Sequence, residues 1–136
     1  MGALVQFHAE NKFVLMAYHQ TELRAMGRIV ANPDRRPVRE LIEDYGEHLN
    51  AAFSRIARFP SHVNVLMHAL GYFKKGLKAS EKAHFLDSLQ GYRDGRLPLS
   101  APVSVIRSWI ARFEEPYLAR QAYFEPYPVE LVEITD

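Results

Sequence analysis

The side chains able to do chemistry fall into a few groups in this sequence of 136 residues. The sharpest is a row on one predicted helix. Asn64, His68, Tyr72 (or Gly71) and Lys75 follow an i, i+4, i+8, i+11 line, with Lys74 and Lys78 beside it. An amide, an imidazole, a phenol and ammonium groups on one face can hydrogen-bond and stack on bases while the lysines neutralise phosphates. The same row also fits the polar side of an ordinary amphipathic helix. Six histidines are the remaining metal candidates. His62 and His68 lie about 240° apart around a helix and face different ways. His8 and His19 share a face but stand turns apart, so spacing alone builds no metal site. Glu43, Asp44 and Glu47 with Arg39 and His48 read as a solvated, pair-laced surface rather than a catalytic carboxylate pair. There is no Gly-rich phosphate loop, Gly-x-Ser-x-Gly elbow or His-Glu-x-x-His motif, and no catalytic residue, metal site or cofactor is assigned. The absence of cysteine excludes disulfides, thiolate zinc sites, iron–sulfur clusters and a cysteine nucleophile within this sequence.

Helical periodicity must position these groups. Leu4, Phe7, Asn11, Val14, Leu15 and Tyr18 share one face of a first helix. Thr21 is the predicted N-cap of a second, carrying Leu23, Met26, Ile29 and Val30. Asn32 to Pro37 cannot continue a helix. A third runs from Pro37 to about Phe59 with Val38, Leu41, Ile42, Tyr45, Leu49, Ala52, Phe53 and Ile56 inward, and Pro60 ends it. Ser61 caps a fourth helix with Val63, Leu66, Met67, Leu70, Phe73 and Leu77 inward. Ser80 caps a fifth, which stops before Gly91, and Ser100 opens a sixth with Pro102 in its first turn. A short helical or irregular piece follows Pro116, then a Pro/Tyr-rich segment and an acidic tail. Val129 to Thr135 is only weakly strand-like. The expected fold is all-α: residues 1–136 as one compact domain of six or seven helices with an irregular Pro/Tyr-rich C-terminal segment.

The formal net charge of +1 hides an uneven distribution. Residues 52–113 carry ten basic and three acidic groups, a local +7 interleaved with Phe59, Tyr72, Phe73 and Tyr92. Residues 1–51 sum to −1 and residues 114–136 to −5. A basic block with aromatics is the electrostatic footprint of a polyanion partner. No apolar run reaches the roughly 20 residues of a membrane span, and no signal-peptide pattern opens the chain, so a cytoplasmic protein is expected.

Several runs carry a family pattern. They are Phe7-His8-x3-Lys12-Phe13, Leu15-Met16-Ala17, Gly27-Arg28-x-Val30-Ala31-Asn32, His62-x-Asn64-Val65-Leu66-x-His68, Gly71-Tyr72-Phe73-Lys74-Lys75, Glu81-Lys82 and Tyr92-Arg93-x-Gly95-Arg96-x-Pro98-Leu99. Pro116-Tyr117-Leu118-x2-Gln121-x-Tyr123 and Pro126-Tyr127-Pro128 complete them. Together these runs resemble the YbgA-type domain of unknown function over nearly the whole chain. One departure is Tyr18-His19, where a histidine directly after the Met-Ala pair would match. In many bacteria this domain is fused behind a cysteine-rich, iron–sulfur desulfidase domain of the thiouracil desulfidase type. The fused proteins resemble enzymes that remove sulfur from 4-thiouridine in tRNA.

The resemblance implies a tRNA-binding part, and the missing cysteines keep the desulfidase chemistry off every residue here. The leading expectation is a non-catalytic module for tRNA or other structured RNA, working with a desulfidase or modification enzyme. Lys12, Lys74, Lys75, Lys78, Arg93 and Arg96 are the expected phosphate contacts. His8, Asn64, His68 and Tyr72 are the expected sugar or base contacts, and His62 joins the RNA-binding set. Two alternatives stand beside it. One is a small enzyme acting on a nucleotide or modified base. The other is a protein-interaction module using the aromatic, proline-rich C-terminal segment, of unassigned oligomeric state.

Overall fold

The first predicted helix breaks in the middle. In the computed structural model, which describes residues 1–54 and 57–124, α1 spans Gly2–Glu10 and α2 spans Lys12–Tyr18. Asn11 between them has φ −107° and ψ 8°, and its side-chain amide donates to Phe7 O at 2.9 Å. A break leaves the last carbonyls of one helix and the first N–H groups of the next without partners. The other end of the chain supplies them. Gln121, 1% exposed, accepts from Phe13 N at 3.1 Å and donates from Nε2 to Ala9 O at 2.6 Å, while Ala122 N donates to Glu10 O at 2.9 Å. Helix α2 buries Phe13, Leu15, Met16 and Ala17 against its neighbours; α1 buries none.

Helix α3, Gln20–Ala31, is capped by His19, whose Nδ1 accepts from Glu22 N at 3.4 Å. The predicted cap, Thr21, lies inside the helix. The unexpected Tyr18-His19 pair thus has a structural role, since His19 is the extended residue that separates α2 from α3. Asn32 ends α3 in the left-handed region at φ 47°. Its side chain closes the loop by accepting from Arg36 N at 2.8 Å and donating to Arg36 O at 3.1 Å. Helix α4, Val38–Phe53, packs chiefly on α3 and buries Leu41, Tyr45 and Ala52. Val38, Ile42 and Phe53, expected inward, are exposed, because a helix covered along one side buries a narrower stripe than its apolar content suggests.

Helix α5 spans Phe59–Gly71 and has Arg58, not Ser61, at its N-cap. Pro60 therefore opens this helix instead of ending the previous one, a position where its missing N–H costs nothing. Val63, Val65, Leu66, Ala69 and Leu70 are buried, whereas Met67 is exposed. The helix stops at Gly71, so Tyr72 is its C-cap and Lys74 and Lys75 lie in the turns beyond. Helix α6, Ala79–Arg93, starts one residue before Ser80, with the Glu81 carboxylate accepting from the backbone N–H of its N-cap, Lys78. It runs through Gly91 instead of stopping there. Arg96 N and Leu97 N both fold back to Gly91 O, at 2.9 and 3.0 Å. A Cβ at Gly91 would meet Leu97 Cδ1 at 2.5 Å, so a larger residue there makes the Leu97 side chain move. Helix α7, Ser100–Phe113, is preceded by Leu99 as N-cap, and α8 covers Pro116–Ala119.

The described residues form eight helices and no strand, against the six or seven expected. Leu15, Met26, Leu66, Phe85, Ile106 and Leu118 are fully buried at the centre, and the Trp109 ring touches Phe73 and Phe85. Part of the C-terminal aromatic segment packs on this domain. Phe124 is buried against Phe13, Tyr117 stacks on Tyr72, and Tyr123 reaches His62. Pro126, Tyr127, Pro128 and the weakly strand-like Val129 to Thr135 lie outside the described residues. Among the described residues no helix is long and apolar enough to cross a membrane.

Candidate functional site

Four of the eleven expected residues converge. His8 from α1, Lys12 from the start of α2, and His68 and Tyr72 from the end of α5 line one open cleft of about 370 Å³. Helix α3 supplies the opposite side with Gln20, Arg24 and Gly27. Phe13, Met16 and Leu23 give it apolar lining. Among the described residues no carboxylate lines it. Among the described residues neither Lys12 nor Arg24 forms an ion pair, whereas Arg36 pairs with Glu40 and Asp44, and Arg112 with Glu81. Among the described residues the cleft is therefore cationic, with its charges unpaired.

His8 is held in place from behind. Its Nδ1 lies 3.0 Å from the Tyr45 hydroxyl, and the two rings meet edge to face. Burial pushes the Tyr45 phenol up to about 12, so it stays protonated at neutral pH. Burial first, and the Lys12 ammonium second, hold His8 below the usual imidazole range and favour its neutral form. The free ring nitrogen, Nε2, is on the Gly27 side: a Cβ at Gly27 would stand 3.7 Å from it. Neutral His8 thus presents one hydrogen-bonding nitrogen, whose donor or acceptor sense follows the tautomer set by Tyr45.

Tyr72 closes the cleft and also opens the next one. Its ring is 48% exposed and stacks on Tyr117 with centroids 5.6 Å apart and planes 15° apart. Partial burial and the Glu115 carboxylate raise its phenol. Tyr72 also lines a second depression of about 510 Å³ together with Lys74, Lys75 and Glu115. The two lysines expected on the face of α5 therefore border the same tyrosine from the turn after it. Asn64 is half-buried on α5 and does not line the cleft.

The other expected residues stand elsewhere. His62 faces away, 2.7 Å from the Tyr123 hydroxyl and against the Tyr92 ring. Burial lowers its pKa, which marks a packed imidazole. Lys78 precedes α6 and Arg93 ends it, about 22 Å apart along the axis. Arg96 bonds Asp94 at 3.2 Å, and Asp94 is held below the usual carboxylate range by Gln90 first and Arg96 next. Among the described residues the basic block thus reaches the cleft region only through Lys74 and Lys75. Sequence reasoning missed Gln20, Arg24 and Gly27. The i, i+4, i+7 spacing of these three on the polar side of α3 was the available signal. Among the described residues no cluster of three or more His, Asp or Glu could hold a metal ion.

Among the described residues, fold and cleft define an all-helical domain with a cationic cleft where α1, α2, α3 and α5 meet. The chain belongs to the family described as Protein of unknown function (DUF1722), which matches residues 12–128. It is similar to the "Uncharacterized protein YbgA" of Escherichia coli (strain K12), at 32% identity over 128 residues, covering 93% of this chain and 76% of the relative. No solved structure matches.

Proposed function

We propose that this domain is a non-catalytic RNA-binding module for structured RNA, tRNA foremost, that serves a thiouridine desulfidase or another RNA-modification enzyme in the cytoplasm. The observation that carries the reading is the cleft. It gathers Lys12, Arg24, His8, His68 and Tyr72 from four helices with no carboxylate among the described residues, and Lys74 and Lys75 border the same tyrosine. Cations without protein partners suit phosphates, and imidazoles beside an exposed ring suit sugars and bases. Four phosphate contacts, at Lys12, Arg24, Lys74 and Lys75, predict about a hundredfold loss of affinity between 50 and 200 mM salt. Filter binding or fluorescence anisotropy with tRNA at the two salt concentrations tests this. No binding at 50 mM salt, or binding untouched by Lys74→Ala with Lys75→Ala, overturns it.

A second reading has one observation in its favour: His8 and His68 line a concave cleft instead of a convex surface. Imidazoles in a concavity can act as acid and base toward a nucleotide or modified base. Turnover of nucleosides or nucleotides that is lost in His68→Ala would establish this reading. Intact substrates after prolonged incubation would remove it.

A further inference from the structure

The chemistry of the cleft is that of a place for one nucleotide. Its volume of about 370 Å³ lies at the small end of ligand sites and accommodates a single nucleotide, not a helix. The lining is divided. Phe13, Met16 and Leu23 offer an apolar side, Lys12 and Arg24 offer charge, and Tyr72 offers an aromatic face. Tyr117 stacks on one face of the Tyr72 ring at 5.6 Å, which fixes the ring plane and leaves the other face for a base. His8 Nε2 is available on the Gly27 side because Nδ1 is engaged by Tyr45. Among the described residues every charged side chain in the lining is cationic and both Lys12 and Arg24 lack an ion-pair partner, so an anion entering displaces no carboxylate of those residues.

We propose that this cleft takes one unstacked nucleotide, its phosphate between Lys12 and Arg24 and its base against Tyr72, with His8 Nε2 and His68 hydrogen-bonding sugar or base edge. This deepens the RNA-binding reading and rests on it. The RNA is engaged at a loop, bulge or extruded residue, and Lys74 and Lys75, across Tyr72, hold the neighbouring phosphates. A continuous duplex cannot place a base in the cleft, whereas a strand with a splayed-out nucleotide can.

The test uses the full chain and two kinds of probe. Uridine 5′-monophosphate and uridine are titrated separately while backbone amide shifts are followed by NMR. The nucleotide shifts the amides of Lys12, Phe13, Arg24 and Gly27 and binds about tenfold more tightly than the nucleoside, through its charged hydrogen bonds. Arg24→Gln reduces that difference, and Lys12→Gln with Arg24→Gln abolishes it. Gly27→Ala places a methyl beside His8 Nε2 without a clash and weakens both ligands while the chain stays folded. In the second arm, a hairpin RNA with an unpaired loop binds at least about tenfold more tightly than a blunt duplex of equal length, and the mononucleotide competes with it. Equal, salt-sensitive binding of hairpin and duplex with no cleft amide moved by the mononucleotide overturns the nucleotide assignment and leaves RNA binding standing. Mononucleotide bound in the cleft with no RNA bound at low salt overturns the RNA reading and keeps the cleft assignment.

Discussion

Replacing Gln121 tests the link between the two ends of the chain. The side chain is 1% exposed and holds two backbone groups at the α1–α2 break, Phe13 N–H at 3.1 Å and Ala9 C=O at 2.6 Å. Gln121→Leu keeps the volume and removes both partners. Each orphaned buried group costs about 1–3 kcal/mol, so the loss is about 2–6 kcal/mol. A domain of this kind holds about 5–15 kcal/mol in total, which makes the change a large share of its stability. With an unfolding entropy of about 2.1 cal/mol/K per residue, 136 residues give a fall of about 3.5 °C per kcal/mol, hence about 7–20 °C in Tm. Thermal unfolding followed by circular dichroism reads this directly, and urea unfolding separates stability from any change in m. Gln121→Glu adds a chemical check. Its carboxylate can still accept from Phe13 N but cannot donate to Ala9 O. Its stability therefore rises on acidification as the carboxyl gains a proton, the reverse of the parent chain. A Tm for Gln121→Leu within about 3 °C of the parent refutes the argument that these two bonds hold the break, because it equates to less than about 1 kcal/mol.

The remaining predictions concern the same framework. His8 and His62 both have folded pKa values below the ordinary 6.5, so their neutral forms stabilise the fold above that pH, and this stability is lost as pH falls through the folded values. Urea midpoints should decline from pH 7.5 to pH 5, less steeply in His62→Phe; an unchanged slope in that variant would contradict the burial argument. Gly27→Ala should raise stability by up to about 1 kcal/mol, since alanine favours a helix interior, while lowering RNA affinity. A calorimetric melt paired with a binding assay checks that opposition, and a rise or fall in both refutes it. Asn32→Ala should cost about 1–2 kcal/mol, because it removes both bonds to Arg36 and leaves alanine at φ 47°.

The helical content was legible because it is written locally. Apolar residues at three- and four-residue spacing marked the helices later seen as α3 to α7, and Asn32 to Pro37 marked a loop. Boundaries slipped where a side chain can act in two ways. Pro60 can end one helix or open the next, and Arg58 with an extended backbone settled the choice. Asn11 gave no local sign of a break, since its periodicity continues through Tyr18. The break depends on Gln121, 110 positions away, which makes unpaired groups at Asn11 affordable. The residue types of the candidate site were likewise readable in part. His8, Lys12, His68 and Tyr72 are among the eleven residues the sequence offers, whereas Arg24 and Gln20 carry only their helical spacing as a sign.

Composition, periodicity and charge by themselves determined an all-helical chain without cysteine chemistry and with a basic middle. They could not decide which helix faces meet. Spacing fixes where a side chain points around its own helix axis, but the angle between two axes comes from packing among residues far apart in sequence. The tertiary structure alone turned His68 and Tyr72 toward His8 and Lys12, sent His62 to Tyr123, and kept Lys78 and Arg93 apart at the two ends of α6.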